Sequence, residues 1–455
     1  MSDRKHLHII GICGVATSAL AIAFHDKGWK VTGSDKGFFP PVSTELEKAG
    51  IPFYAGWHPE KVGMPDFVIV GTASGSLNPE TAYVKEKNIP MYSFAEAVGE
   101  FLVRENSIVC VGTWGKSSST ALLSYIMEKA GLDPSYMFGG ISLSHDAAAK
   151  ITDNKWSVTE GDEYKSGPSD PTPKFKYYKP THLLMTAISW DHADLYPTEE
   201  SYFQTFEKLI ESVGFIVACK DDEGVKRVTA GKKVIWYGKS DANYVYSDVV
   251  QTKKGLKFTI NSTIVESPMI GAFQAENIAG CFAMAKELGV EEKIILQAIS
   301  EFKGLKRRLE KRFDGEITVF DDIAHSPEKA KSVLENLRSI YQGKIIAVFE
   351  PNIGGRQRES TTKYDNAFKD ADTVIIPRLT KLKIGEEKPM EGDELAKVIG
   401  QTHANVHLIE SDEKLVTFAL EQADKGSVIV FLGSHGFRGM IEALVTSLRQ
   451  QSQSR

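Results

Sequence analysis

One stretch constrains this chain more than any other: a short apolar strand that runs into glycines, a lysine and hydroxyls, and then into a helix. Val109, Cys110 and Val111 are followed by Gly112, Thr113, Trp114, Gly115, Lys116, Ser117, Ser118, Ser119 and Thr120, and residues 121–129 continue with helical period. Successive backbone N–H groups in such a loop, aided by the positive end of the helix, hold phosphate oxygens. Lys116 adds a charge, and Ser117 adds a hydroxyl that can bind a magnesium ion. The full phosphate-loop pattern has glycine where this chain has Cys110, so only its second half matches. The competing reading is a glycine turn with an exposed lysine. The flanking strand and helix are the context that separates the two.

The same alternation of short apolar runs with helix-period segments recurs along the chain, the pattern of parallel sheets covered by helices. It falls into three regions, as 455 residues predict at roughly 150 per domain. Strands are expected over 7–12, 30–33 and 67–71, with a helix over 16–27. A second set is expected over 107–112, 156–159 and 183–188, followed by a β-rich patch over 215–264 and helices over 277–288 and 293–302. A third set is expected over 317–320, 345–349, 373–376, 406–409 and 428–432. The expected fold class is α/β with three domains: a Rossmann-like N-terminal domain over 1–105, a central P-loop ATPase-like domain over 106–309, and a Rossmann-like C-terminal domain over 310–455.

Composition narrows the function classes. With 54 basic and 60 acidic residues the net charge is −6, which argues against a surface devoted to nucleic acid or anionic lipid. No apolar run is long enough to cross a bilayer. Arg4, Lys5 and the apolar stretch after them mimic an export signal, but Gly11 and Gly14 interrupt it where a strand would turn into a helix. Cys13, Cys110, Cys219 and Cys281 form no C-x-x-C pair, so neither a disulfide framework nor a zinc site is suggested; a reducing, cytoplasmic compartment fits.

Other polar residues gather at expected strand ends, the edge where open α/β sheets place ligands. Glu160, Asp162 and Glu163 follow one strand and suit a hard cation. His192 follows the next strand and could complete a metal shell or touch a transferring phosphate. In the first region Cys13 occupies a glycine position of the dinucleotide fingerprint, which argues against a nicotinamide cofactor, while Asp35 could hold a ribose or sugar hydroxyl. Gln274 and Asn277 could read a base edge, or could be a helix cap and a surface residue. Near the second boundary, Arg308 and the acidic Asp321-Asp322 with His325 suit a site completed by domain closure over a nucleotide.

Taken together and in this order, these segments resemble the ATP-dependent Mur ligases of bacterial cell-wall synthesis over essentially the whole chain. GTWGKSSST resembles the family's GT-H-GKTTT loop, EGDEY its EADE metal segment, WDHAD its DH segment and GAFQAEN its adenine segment. KRR and DDIAHSP resemble its later arginine and DD-x-x-HHP segments. Within the family, HIIGICG, GSDKGFFPPVSTELEKAGI, KRRLE and the Phe349-Glu350-Pro351 triplet resemble the murein peptide ligase branch, with the L-alanine-adding branch nearest to it. Departures are Trp114 for the loop histidine, Ser117 and Ser118 for threonines, Phe273-Gln274 for His-Asn, and Asn352 for an arginine. Glu207 stands where some relatives carry a carbamylated lysine.

The resemblance implies a carboxylate–amine ligase using ATP and Mg²⁺. Its substrates would be UDP-N-acetylmuramate and a cell-wall tripeptide, or L-alanine in the other branch; a degenerate, non-ligating nucleotide-sugar binder is a further alternative. It implies that Gly112, Thr113, Gly115, Lys116, Ser117 and Ser118 hold the ATP phosphates. Gln274 and Asn277 would hold adenine, Arg308 the phosphates and Asp322 the ribose. It assigns Mg²⁺ to Ser117, Glu160 and His192, and UDP to Gly11, Gly14, Ser34, Asp35 and Thr72. His325 would lie near the reacting centre.

Overall fold

The computed structural model describes residues 5–38, 42–71, 77–167, 170–192, 194–380 and 389–453. They form two compact units. The first comprises Met1–Val249, Lys257–Pro268 and Phe273–Gly304, and the second comprises Val250–Leu256, Met269–Ala272 and Leu305–Arg455.

In the first unit, a five-stranded parallel sheet has the order Phe53–Ala55, Lys30–Asp35, His6–Ile10, Phe67–Val70, Met91–Ser93. The helix Val15–Asp26 follows the central strand and buries Ala19, Leu20, Ala23 and Phe24. The three-residue strands at this sheet's edges are not readable from the sequence, because so short a run shows no periodicity. A ten-stranded sheet follows, and its core is continuous with that of the first sheet: Leu20 and Phe24 belong to the same buried cluster as Val109, Leu183 and Phe206. This shared core is why two domains make one unit.

The middle of the larger sheet positions the site. His182–Met185, Asn106–Val111 and Trp156–Gly161 are adjacent parallel strands. Val111 stands opposite both Met185 and Gly161, so the three strands end at one level and their following residues converge. The strand expected to reach residue 188 stops at Met185. Beyond it Thr186 turns inward and donates its hydroxyl to the Trp114 carbonyl.

The second unit holds a six-stranded sheet in the order Glu310–Asp314, Thr318–Asp322, Val428–Gly433, Ile345–Glu350, Thr373–Pro377, Val406–Ile409. The first pair is antiparallel and the rest are parallel. Each face has its own apolar cluster. The helices Pro327–Ile340 and Gly392–Gly400 contribute to one, and Asp412–Gln422 and Met440–Gln453 to the other. Two α/β sheets in the first unit and one in the second give the three-domain architecture expected from the sequence.

Candidate active site

The loop Gly112–Gly115 owes its path to two glycines with positive φ, +140° at Gly112 and +81° at Gly115. A Cβ at Gly112 would strike Thr186 and the backbone of Ala187, and one at Gly115 would strike the Asn277 carboxamide. Thr113 fixes the loop between them. Its N–H donates to the Ala187 carbonyl (2.5 Å) and its hydroxyl to the Ser189 carbonyl (2.8 Å), while Ser189 N–H donates back to that hydroxyl (2.9 Å). The helix Lys116–Lys129 then begins with its free N–H groups at the sheet edge.

Five side chains from the three strand ends meet there, Lys116, Ser117, Glu160, Glu163 and His192. The Ser117 hydroxyl donates to Glu160 Oε1 (2.8 Å), and Gly139 N–H donates to Glu160 Oε2 (2.6 Å). Lys116 Nζ donates to the Gly112 carbonyl (2.5 Å) and pairs with Glu163 at 2.9 and 3.1 Å. His192 Nε2 lies 3.5 Å from Glu163 Oε1. That carboxylate raises the His192 pKa above its ordinary value, against the opposing effect of burial. Tyr202 hydroxyl reaches Glu163 Oε1 (3.3 Å), and Lys174 pairs with Asp162 at 2.5 Å. Burial would raise the Asp162 pKa, but the Lys174 ammonium holds it below the usual carboxylate range.

Magnesium binds oxygen at about 2.0–2.1 Å, which puts neighbouring ligand oxygens about 2.9 Å apart. The Ser117–Glu160 separation of 2.8 Å therefore fits two ligands of one hard cation. His192, expected to share a metal with Glu160, faces Glu163 instead. Among the described residues a different trio, Cys219, Asp221 and Glu276, has ligand atoms within 4.8 Å of one another. Burial pushes the Cys219 thiol and the Glu276 carboxyl upward in pKa, and Tyr246 hydroxyl reaches both acids, so the trio is built as a hydrogen-bonded cluster rather than a thiolate site.

Gln274 and Asn277 are neither cap nor surface. Both are buried in the first turn of the helix Gln274–Glu287, where Asn277 donates to Gln274 Oε1 (3.1 Å) beside the Gly115 turn. Trp114 and Phe273 are exposed.

In the second unit, the two Asp322 oxygens accept Leu309 N–H (2.7 Å) and Ala324 N–H (2.8 Å), so the carboxylate clamps the chain around it. His325 Nδ1 bonds the Ile323 carbonyl (2.7 Å), which leaves Nε2 as an acceptor. Arg307 is engaged by Asp321 and the carbonyls of residues 433–435, whereas Arg308 is exposed. Asn352, standing in for an arginine, accepts Gly355 N–H (2.9 Å) and shapes its own loop.

In the first sheet, Asp35 accepts Cys13 N–H (2.8 Å) and so holds the Gly11–Gly14 turn. Thr17 hydroxyl bonds the Gly11 and Gly14 carbonyls. Ser34 is fully buried and donates its hydroxyl to Glu80 rather than facing outward. Glu80 also accepts Tyr54 hydroxyl (2.9 Å) and His58 N–H (2.7 Å). Thr72 lies outside the described residues. Sequence reasoning supplied no role for Glu80, since its partners lie far off in the chain, and Glu163, read there as one of three acids suited to a hard cation, is paired with Lys116.

Three family models match in succession: the Mur ligase family catalytic domain over residues 6–105, the Mur ligase middle domain over 111–285, and the Mur ligase glutamate ligase domain over 307–435. The UDP-N-acetylmuramate–L-alanine ligase of Mesorhizobium japonicum is 30% identical, over 94% of this chain and 94% of that ligase. A solved UDP-N-acetylmuramate–alanine ligase from Thermotoga maritima superposes with a TM-score of 0.82 at 21% identity, covering 98% of this chain and 99% of that one. A murein peptide ligase from Psychrobacter arcticus superposes with a TM-score of 0.69 at 23% identity, covering 98% of each chain. The chain belongs to the Mur ligase family and is an ATP-dependent, amide-forming ligase.

Proposed function

We propose that this ligase joins the lactyl carboxylate of UDP-N-acetylmuramate to the amine of L-alanine, with ATP and Mg²⁺, in peptidoglycan synthesis in the cytoplasm. The observation that carries the chemistry is the convergence of Lys116, Ser117, Glu160 and Glu163 at one sheet edge. The choice of amine rests on the full-length likeness to L-alanine ligases. It differs from the tripeptide expected from the sequence stretches.

ATP supplies the phosphoryl group that activates the carboxylate as an acyl phosphate, and Mg²⁺ neutralises its charge. Lys116 and the N–H groups opening its helix bind the phosphates through fixed positive charge. Ser117 and Glu160 would hold the metal, and His192 would touch the transferring phosphate. Gln274 and Asn277 would present amides to the adenine, and the family resemblance gives Arg308 the phosphates and Asp322 the ribose. Gly11, Gly14 and Asp35 form the UDP end of the site, with Thr72 belonging to the same group. His325, whose pKa burial lowers, stays neutral near the amine. The division near residues 105 and 309 assigns one substrate to each domain.

The Phe349-Glu350-Pro351 triplet and the residue 33–51 stretch favour a second reading, in which the amine belongs to L-alanyl-γ-D-glutamyl-meso-diaminopimelate. Phosphate release with ATP, Mg²⁺ and UDP-N-acetylmuramate, adding either amine, separates the two. Stimulation by L-alanine alone supports the first, and stimulation by tripeptide alone overturns it in favour of recycling. Silence with both, with ATP still bound, indicates a binding protein that does not ligate.

A further inference from the structure

Lys116 is not waiting free for phosphate. Its side chain is only 13% exposed, and its ammonium is held by both oxygens of Glu163 and by the Gly112 carbonyl. Glu163 is 1% exposed and closely packed, with Tyr202 hydroxyl on Oε1, Tyr196 hydroxyl on its carbonyl and His192 Nε2 nearby. A buried carboxylate needs a counter-charge, and a buried ammonium needs one equally. Here each is the other's.

We infer that Glu163 is the resting counter-ion of Lys116, so that nucleotide binding exchanges the lysine from carboxylate to phosphate and leaves Glu163 to position His192. The inference rests on the nucleotide reading of the loop. It makes Glu163 a positioning residue whose charge opposes ATP binding and then supports turnover. The geometry favours this two-step role over a passive one. Glu163 Oε1 lies within 3.5 Å of both Lys116 Nζ and His192 Nε2, so when the lysine leaves, the histidine is the cation-capable group already in place.

The test is calorimetric titration of ATP, with EDTA and no second substrate, into wild type, Lys116→Ala, Glu163→Gln and Glu163→Asp. Removing the competing charge in Glu163→Gln should tighten ATP binding by about tenfold, the scale of one charge-assisted hydrogen bond. Glu163→Asp, shorter but still charged, should tighten it less, and it carries the test should the glutamine variant fail to fold. In steady-state assays Glu163→Gln should lower KM for ATP and lower kcat together, a split that simple loosening of the site does not give. If Lys116→Ala weakens ATP binding while neither Glu163 variant tightens it, the counter-ion role is wrong and the nucleotide site stands. If Lys116→Ala leaves ATP binding unchanged, the nucleotide reading fails, and the inference with it.

Discussion

In the proposed reaction the Lys116 ammonium passes from Glu163 to the phosphates on binding and needs no further reorganisation at the moment of reaction, which is where electrostatic catalysis gains most. Lys116→Ala should therefore lower phosphate release by about 10²-fold or more, taking the loss of one oriented donor as the guide. Turnover like that of wild type would remove Lys116 from the site. Glu160 has a different kind of role in the proposed site, since its oxygens accept from Ser117 and Gly139 and would present charge to a cation. Glu160→Gln retains the shape and should raise the Mg²⁺ concentration for half-maximal activity by at least about tenfold; an unchanged magnesium titration would place the metal elsewhere. That Lys116, Ser117 and Glu160 come together at one sheet edge was legible in the sequence because each is a polar residue at a strand end. Ser34 was misread for the complementary reason. Its polarity is answered by Glu80, 46 residues away, and nothing local signals that partnership.

Glycines 112 and 115 show how an element is held in shape by what lies against it. At Gly112 an added Cβ meets Ala187 O at 2.7 Å and Ala187 N at 2.9 Å, backbone atoms that cannot swing aside, whereas at Gly115 it meets side chains, the Asn277 carboxamide and Thr186 Cγ2 at 3.3 Å. Gly115→Ala should then cost about 1–2 kcal/mol, the penalty of left-handed backbone for a residue with a side chain. Gly112→Ala should cost more, by roughly the 1–3 kcal/mol of overpacking. Denaturant midpoints for the two variants check the order, and equal losses would mean that the strand-to-helix turn is softer than its contacts indicate. The turn itself was readable, as were the long strands and the amphipathic helices, because their apolar periods span several repeats. Strands such as Ser135–Met137 and Lys165–Gly167 were not, since three residues carry no period and their pairing is set by distant neighbours.

At the scale of the molecule, the three α/β regions were visible in the sequence, but the merging of the first two into one unit was not. It depends on side chains such as Phe24 and Leu183 entering a single core, and no linear pattern specifies which buried faces will meet. Burial of two histidines outside that cluster has a consequence for acid stability. His8 in the first sheet and His145 in the middle domain have fully buried side chains, and burial pushes the pKa of each down to about 4 from 6.5. Between these values the unfolded chain binds protons that the folded chain refuses, so stability is complete above about pH 6.5 and is lost as pH falls toward 4. From pH 7 to pH 5 each histidine should remove about 2 kcal/mol, at 1.36 kcal/mol per pKa unit. Burial raises the carboxyl pKa values of Glu276, Glu310, Asp321 and Asp322, which act in the opposite sense, so the total slope mixes both. A difference measurement separates them. Unfolding free energies of wild type and of His8→Gln with His145→Gln, taken at pH 7 and pH 5, should diverge by about 4 kcal/mol, with the variant losing less. Parallel losses would show that the two histidines are protonated in the fold, and that their buried setting admits a charge.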